Sequence, residues 1–265
     1  MVFERLHTFG SKAERVIMYP KDWRIGEADP STEARLLLKA QNEYHVHLVP
    51  VHVQHLEGDA TWADSFTKLL AFNQTQYDRV ISLDSDGTLL QPMDELFSLP
   101  SAPVAMARAY WLDDDSLSSQ LLVVEPSDFV FKRIQGAMRT RQETQFDMEL
   151  VNDLYRKDCL ILPHRPYTLL TGEFRSKDHS KYLGSKEEVW DSGKVFAEAK
   201  FVHFSDWPFP KPWFEGSEEL RVELQPTCKN ATETEPEDCT GREIWNNLYV
   251  DYRERHKERP ESVLF

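Results

Sequence analysis

The chain has 265 residues, 40% of them hydrophobic and 12% aromatic, which is enough apolar surface for a sizeable core and too much for a disordered chain. A formal net charge of −14 argues against general nucleic-acid binding, so an anionic ligand would need a local cation or a metal. The closest two glycines, Gly184 and Gly193, stand nine positions apart, which rules out both a GxGxxG and a GxxxxGK phosphate loop.

In chain order, residues 2–11 read as a helix closed by Gly10, and Arg15 to Tyr19 as a short strand stopped by Pro20. Ser31 caps a helix that carries Glu33 and Leu36 to Leu38 and runs to about Tyr44. Val46 to Val53 alternates as a strand does. Asp59 or Thr61 opens a helix through Ala71, and Arg79 to Leu83 is a buried strand. A helix from Met93 follows, with strands near 103–110 and 120–125 and helices at 127–140 and 147–157. Strands near 159–162 and 199–204, and a helix from Arg242, complete the pattern. This alternation predicts an α/β fold, a mainly parallel sheet flanked by helices. No internal repeat is visible. Only 225–240 has linker composition, so residues 1–265 read as one domain carrying an exposed acidic loop.

The strongest chemical signal is Leu83-Asp84-Ser85-Asp86-Gly87. A buried strand ends there in carboxylates at i and i+2, which point to the same side of the strand. They reach the crevice beyond the strand's carboxyl end, where open α/β sheets bind ligands. Two hard oxygen donors in that place suit Mg²⁺ or Mn²⁺, which neutralises phosphate oxygens. A second segment, His203-Phe-Ser-Asp206-Trp207-Pro-Phe-Pro-Lys211-Pro-Trp213, delivers an imidazole and one ammonium from a proline-rich aromatic loop. Imidazole completes a Mn²⁺ site built on two carboxylates, and the Lys can meet a leaving diphosphate. Taken alone, the segment reads first as a packed aromatic turn with a buried His and an exposed Lys.

Together these segments resemble family 8 of the retaining glycosyltransferases, the glycogenin-like GT-A enzymes. The wording is closest to a fungal subgroup that includes N-acetylglucosaminyltransferase-like proteins. The resemblance runs from about residue 60 to 213 through Phe66-Thr67-Lys68-Leu69, Tyr77 to Asp86 and Met93-Asp94-Glu95-Leu96-Phe97. It continues in Leu117-Ser118-Ser119-Gln120-Leu121, where the family carries a segment near the sugar, and in Phe146-Asp147-Met148-Glu149. It implies a UDP-sugar donor (glucose or N-acetylglucosamine), a glycan or glycoprotein acceptor, and no nucleic-acid partner; a homodimer is compatible with it. By the same resemblance Asp84, Asp86 and His203 hold Mn²⁺ or Mg²⁺, and Lys211 contacts the departing UDP. Lys68 lies at the donor phosphate region, Asp147 at the donor sugar, and Ser119 and Gln120 line the donor pocket.

The sequence departs from the family in three places. The span from His203 to Lys211 is longer than usual, Gln120 replaces a small residue, and the chain opens at the helix matching 2–11 without the first nucleotide-binding strand. A degenerate GT-A domain acting as a binding or scaffold module therefore stands beside the enzyme. Asp84-Ser85-Asp86-Gly87-Thr88-Leu89 also resembles the first motif of haloacid-dehalogenase-type phosphatases, with Asp113 to Asp115 as the one later acidic cluster.

For compartment, Cys228 and Cys239 bracket an acidic loop, Cys159 stands alone, and Asn73 and Asn230 open Asn-x-Thr acceptors. A 228–239 bridge and two free thiols are both open readings. The bridge, the acceptors and the resemblance favour the Golgi or another secretory lumen, against a cytoplasmic location if the chain is complete. No uncharged apolar run approaches the ~18 residues of a spanning helix, and no signal peptide is visible. His45 and His47 are expected on one face of a strand. Trp245, Leu248, Tyr249 and Tyr252 form a stripe on the last helix, read as core packing before docking.

Overall fold

The computed structural model describes residues 1–26, 31–55, 64–214, 218–231 and 236–257. Two compact units emerge: an N-terminal unit of Val2–Asp84 with Pro92–Pro163, and a C-terminal unit of Ser85–Gln91 with His164–Phe265. Nine strands are described: β1 (Arg15–Pro20), β2 (Val46–Val51), β3 (Val80–Leu83), β4 (Gly87–Leu89) and β5 (Val104–Ala107), then β6 (Leu121–Val124), β7 (Leu160–Leu162), β8 (Leu169–Leu170) and β9 (Phe201–His203).

In the N-terminal unit, helix α1 (Val2–Thr8) ends ahead of Gly10, whose φ of 68° only a residue without a Cβ adopts freely. Helix α2 (Thr32–Tyr44) links β1 to β2, which pair in parallel from Arg15↔Val46 to Pro20↔Val51. As expected, Ser31 caps α2, its side chain accepting from the Ala34 N–H at 3.2 Å. The expected His45–His47 face does not form. His45 closes α2 in the left-handed conformation at φ 55°, so the strand begins only at Val46.

A second sheet runs in the order β3-β6-β5-β7. Its inner strands read LLVV and VAMA and are buried at every position, whereas the edge strand β3 is half-buried throughout. Helices α3 (Asp128–Thr140) and α4 (Asp147–Tyr155) cover this sheet. Phe66, Leu69, Phe72, Val104, Met106, Leu122, Ile134, Val151 and Tyr155 form one cluster beneath them. Fully burying side chains of this size stabilises by about 1.5–3 kcal/mol each. The segments matching the helices expected after Thr61 and at Met93 are 3₁₀ turns, Ser65–Asn73 and Asp94–Ser98. Asp59 and Thr61 themselves lie outside the described residues.

The sheet is less parallel than the alternation implies. Parallel pairing joins β1 to β2, β5 to β7 and β8 to β9, while β3–β6, β5–β6 and β4–β9 are antiparallel. Between β5 and β6 the chain folds straight back through the Arg108↔Leu117 bridge, with no crossover helix to return it to a parallel direction. Among the described residues, β1 pairs with β2 alone and β3 with β6 alone.

The C-terminal unit centres on the sheet β4-β9-β8. Strands β4 and β8 are three and two residues long, too short to show a period in the sequence. Gly87 packs so closely that a Cβ there would overlap the Phe201 ring. The last helix, Thr240–Lys257, buries Trp245, Leu248 and Tyr249, with the Phe204 and Phe209 rings 5.3 and 4.8 Å from Tyr249. That much of the aromatic stripe is core. Cys228 and Cys239 are joined as a disulfide, and Cys159 is a free thiol. Within 225–240, residues 232–235, including the acceptor Thr232, lie outside the described residues.

Candidate active site

Strand β3 delivers Asp84, whose N–H continues the β3–β6 ladder by donating to the Gln120 carbonyl at 2.9 Å. Lys68, on the 3₁₀ turn, places Nζ 2.6 Å from Asp84 Oδ1 and 3.0 Å from Asp147 Oδ2. Asp147 opens α4, where a carboxylate also faces the positive end of the helix. The Ser119 hydroxyl donates to the same Asp147 oxygen at 2.7 Å. Gln120 is 4% exposed, and its Nε2 has no protein partner among the described residues. A buried donor left open in this way suits a polar ligand. Lys68, Asp84, Ser119, Gln120 and Asp147, widely spaced in sequence, therefore gather in the N-terminal unit. Burial opposes charge on Lys68 and Asp147. The contacts outweigh it: Asp84 and Asp147 hold the ammonium above its usual pKa, and Lys68 and Ser119 hold the Asp147 carboxyl below its own.

The C-terminal unit assembles the remaining predicted residues. Antiparallel register sets His203 opposite Gly87, and the Asp86 carbonyl accepts from the Phe204 N–H at 2.9 Å. Asp86 Oδ1 lies 2.7 Å from His203 Nε2, and Oδ2 accepts from Lys211 Nζ at 2.6 Å. Lys211 also donates to the Phe204 carbonyl at 2.5 Å. Burial alone would raise the Asp86 pKa, but His203 and Lys211 outweigh it and hold the carboxyl far below the usual carboxylate range.

The residues that fix this loop are legible in no motif. Asp206, with its side chain 1% exposed, lies 2.5 Å from Arg175 Nη1 and accepts from Trp245 Nε1 at 2.6 Å. Those partners stand 31 and 39 positions away, so only the helix-borne Trp245 hinted at them. The Trp207–Pro208 peptide bond is cis. The acidic cluster that the phosphatase reading needs is an exposed bend. Asp114 accepts from the Ser116 N–H at 2.9 Å, and Asp115 pairs with Arg108 at 2.8 Å.

The fold carrying these clusters is that of the GT-A glycosyltransferases. The galactosyltransferase LgtC, solved in complex with donor and acceptor sugar analogs, superposes with a TM-score of 0.53 at 12% identity over 83% of this chain and 88% of that one. The WbbM bifunctional glycosyltransferase gives 0.54 at 12% identity over 94% of this chain and 52% of that one. No protein-family profile matches. The glucose N-acetyltransferase 1 of Aspergillus fumigatus is 46% identical over 278 residues, covering 98% of this chain and 72% of that protein. Its namesake in Gibberella zeae is 53% identical over 271 residues, covering 99% of this chain and 59% of that protein. The chain belongs to the glucose N-acetyltransferase 1 family and spans about three fifths of the Gibberella relative.

Proposed function

We propose that this chain is the donor-binding part of a metal-dependent, retaining glycosyltransferase that moves glucose or N-acetylglucosamine from UDP to a glycan or glycoprotein acceptor. One observation carries the reading. Each unit gathers a carboxylate–cation cluster, around Asp84 and around Asp86, and a single residue, Ser85, separates these carboxylates in the chain. The relatives are named for glucose N-acetyl transfer and the solved neighbours for glycosyl transfer; both names describe transferases of sugar chemistry, and the clusters fit glycosyl transfer.

The donor set fits Mn²⁺ or Mg²⁺. Asp86 and His203 already converge on each other with an oxygen and an imidazole nitrogen, the mixed N/O set Mn²⁺ accepts, and Asp84, two positions before Asp86 in the chain, would supply a second carboxylate. When bound, the cation would neutralise diphosphate oxygens and stabilise the charge left on UDP. Lys211 supplies a further positive charge to that leaving group. The Gln120 amide and Ser119 hydroxyl bind the donor, and Lys68 keeps Asp147 ionised beside it. Asp147 is the carboxylate to test as a nucleophile or donor-sugar contact. The Cys228–Cys239 bridge favours an oxidising compartment such as the Golgi lumen. No helix among the described residues is long and apolar enough to cross a membrane.

The test is a calorimetric titration of UDP with Mn²⁺ and again with EDTA, on the wild type and on Asp86→Ala. Binding that needs the metal and is lost in Asp86→Ala supports the reading, and a UDP-sugar hydrolysis panel then identifies the donor. No UDP binding under either condition overturns it in favour of a degenerate scaffold module.

A further inference from the structure

We propose that a recess of the C-terminal unit, lined by Gly172, Arg175, Ser176, Ser205, Asp206 and Trp207, is a subsite for a neutral hexose ring of the acceptor glycan. The proposal rests on the glycosyltransferase reading above. The recess is shallow and open to solvent, with a volume of about 330 Å³, at the small end of the ~300–1,000 Å³ typical of ligand pockets and enough for one sugar ring.

Three features define its ligand. First, Trp207 is 91% exposed, while its neighbours Asp206 and Phe209 are 7% and 4% exposed. A large indole is thus presented to water from a segment anchored on both sides, at the rim of the recess, where its flat apolar face is free to take a ring. Second, the one cation lining the recess is cancelled. Arg175 pairs with Asp206 at 2.5 Å and donates through Nε to the Leu224 carbonyl at 2.6 Å. A site without net charge has little hold on phosphate. Third, Ser205 and Ser176 line the same recess as the indole; the Ser176 hydroxyl donates to the Asp178 carbonyl at 2.7 Å and can still accept a bond. A pyranose has an apolar C–H face and a hydroxyl edge, so one ring can stack on Trp207 while its edge meets the serines.

The floor of the recess is tightly set. A Cβ on Gly172 would come 2.9 Å from the Ser205 carbonyl, which already accepts from the Gly172 N–H at 3.1 Å. The recess-lining residues 205–207 also fall between His203 and Lys211 in the chain. A sugar held there is carried by the very segment assigned to the metal and the leaving diphosphate.

The experiment follows the indole N–H resonance of Trp207, assigned by its absence in Trp207→Phe, by NMR on the full chain. The probes are methyl α-D-glucoside, methyl α-D-mannoside, methyl β-D-galactoside and N-acetylglucosamine. At least one sugar is expected to shift that resonance saturably. In saturation-transfer measurements Trp207→Ala should weaken the same sugar by about tenfold, the loss of one stacked ring, and Trp207→Phe by less. Phe129→Ala, at an exposed aromatic outside the recess, serves as control. The proposal is overturned if no sugar moves the resonance, if inorganic phosphate moves it instead, or if Trp207→Ala binds the sugar as the wild type does. The UDP titration separates the two readings. Sugar binding at Trp207 without UDP binding sinks the donor-site reading but leaves the subsite, and UDP binding with a silent Trp207 does the reverse.

Discussion

Replacing Lys68 by Met tests whether the N-terminal cluster is an electrostatic unit. The Met keeps the stem's packing and removes one ammonium from between two carboxylates, at 2.6 Å from Asp84 and 3.0 Å from Asp147. At those separations the gross attraction is about 6 kcal/mol per pair for an effective dielectric near 20. The desolvation of Lys68 offsets much of it, so the intact cluster is worth little beyond its geometry. Its disruption is another matter. Lys68→Met leaves Asp147 with its side chain 8% exposed and Asp84 with 19%, and stranding buried charge costs about 3–5 kcal/mol. Because Asp84 keeps some solvent, the low end, about 3 kcal/mol, is expected in urea denaturation at neutral pH. Asp147→Asn added to Lys68→Met removes one stranded charge and should restore most of that loss. Lowering the pH toward 5 should also narrow the gap, because carboxylates that have lost the Lys68 ammonium take up protons more readily than in the wild type. A Lys68→Met cost below about 1 kcal/mol, the value of an exposed pair, would refute the reasoning. So would an Asp147→Asn effect that adds to the damage instead of relieving it.

The wild type should behave oppositely with pH. Asp86 and Asp147 are held below their ordinary pKa, so their contribution is complete above the unfolded carboxylate range near 4 and is lost as pH falls through the depressed native values, at a slope approaching about 1.4 kcal/mol per pH unit per proton; urea midpoints between pH 7 and 3 check it, and Asp147→Asn should flatten the curve. Gly87→Ala forces a methyl into the Phe201 ring and should cost about 1–3 kcal/mol by overpacking, read as a lower thermal midpoint. Asp206→Ala leaves the buried Trp245 N–H and Arg175 without their acceptor and should cost about 3–5 kcal/mol, while Asp206→Asn, which can still accept one bond, should lose visibly less in the same melt. Reducing Cys228–Cys239, separated by 11 positions, should cost about 3 kcal/mol, and an unchanged melting curve under reductant would contradict it.

Part of this site was readable because short-range rules govern it. Asp84 and Asp86 stand out because they flank one residue after an apolar run, and the Cys pair closes a short loop. The strand periodicity expected of the carboxylates does not hold, because β3 stops at Leu83 and a turn follows at residues 85–86. Lys68, Ser119, Gln120 and Asp147 were legible only through the family resemblance; nothing in their local pattern says that Lys68 turns toward Asp147, since the contact spans 79 positions. Asp206 and Trp245 each stand in a segment the sequence singles out, but their joining with Arg175 into one anchor was not legible. Each member looks ordinary where it stands, and its role exists only once the last helix is packed. The same logic explains the missed strands. β4 and β8 are defined by pairing with β9, not by their own composition, whereas β5 and β6 announce themselves as continuous apolar runs. His45 was misplaced because a left-handed cap compresses the helix-to-strand junction to one residue.

The half-buried edge position of β3 has a consequence for every affinity measured on this chain. A strand held from one side opens more readily than a central one, and Asp84 directly follows β3. For a ligand that requires Asp84 in place, any opening of β3 would be a conformational cost contained in the observed dissociation constant. Anything that hydrogen-bonds to the side of β3 that no described strand pairs would remove such a cost in advance and tighten the ligand without touching it. On the donor-site reading proposed above, donor affinity then depends partly on what borders this edge strand.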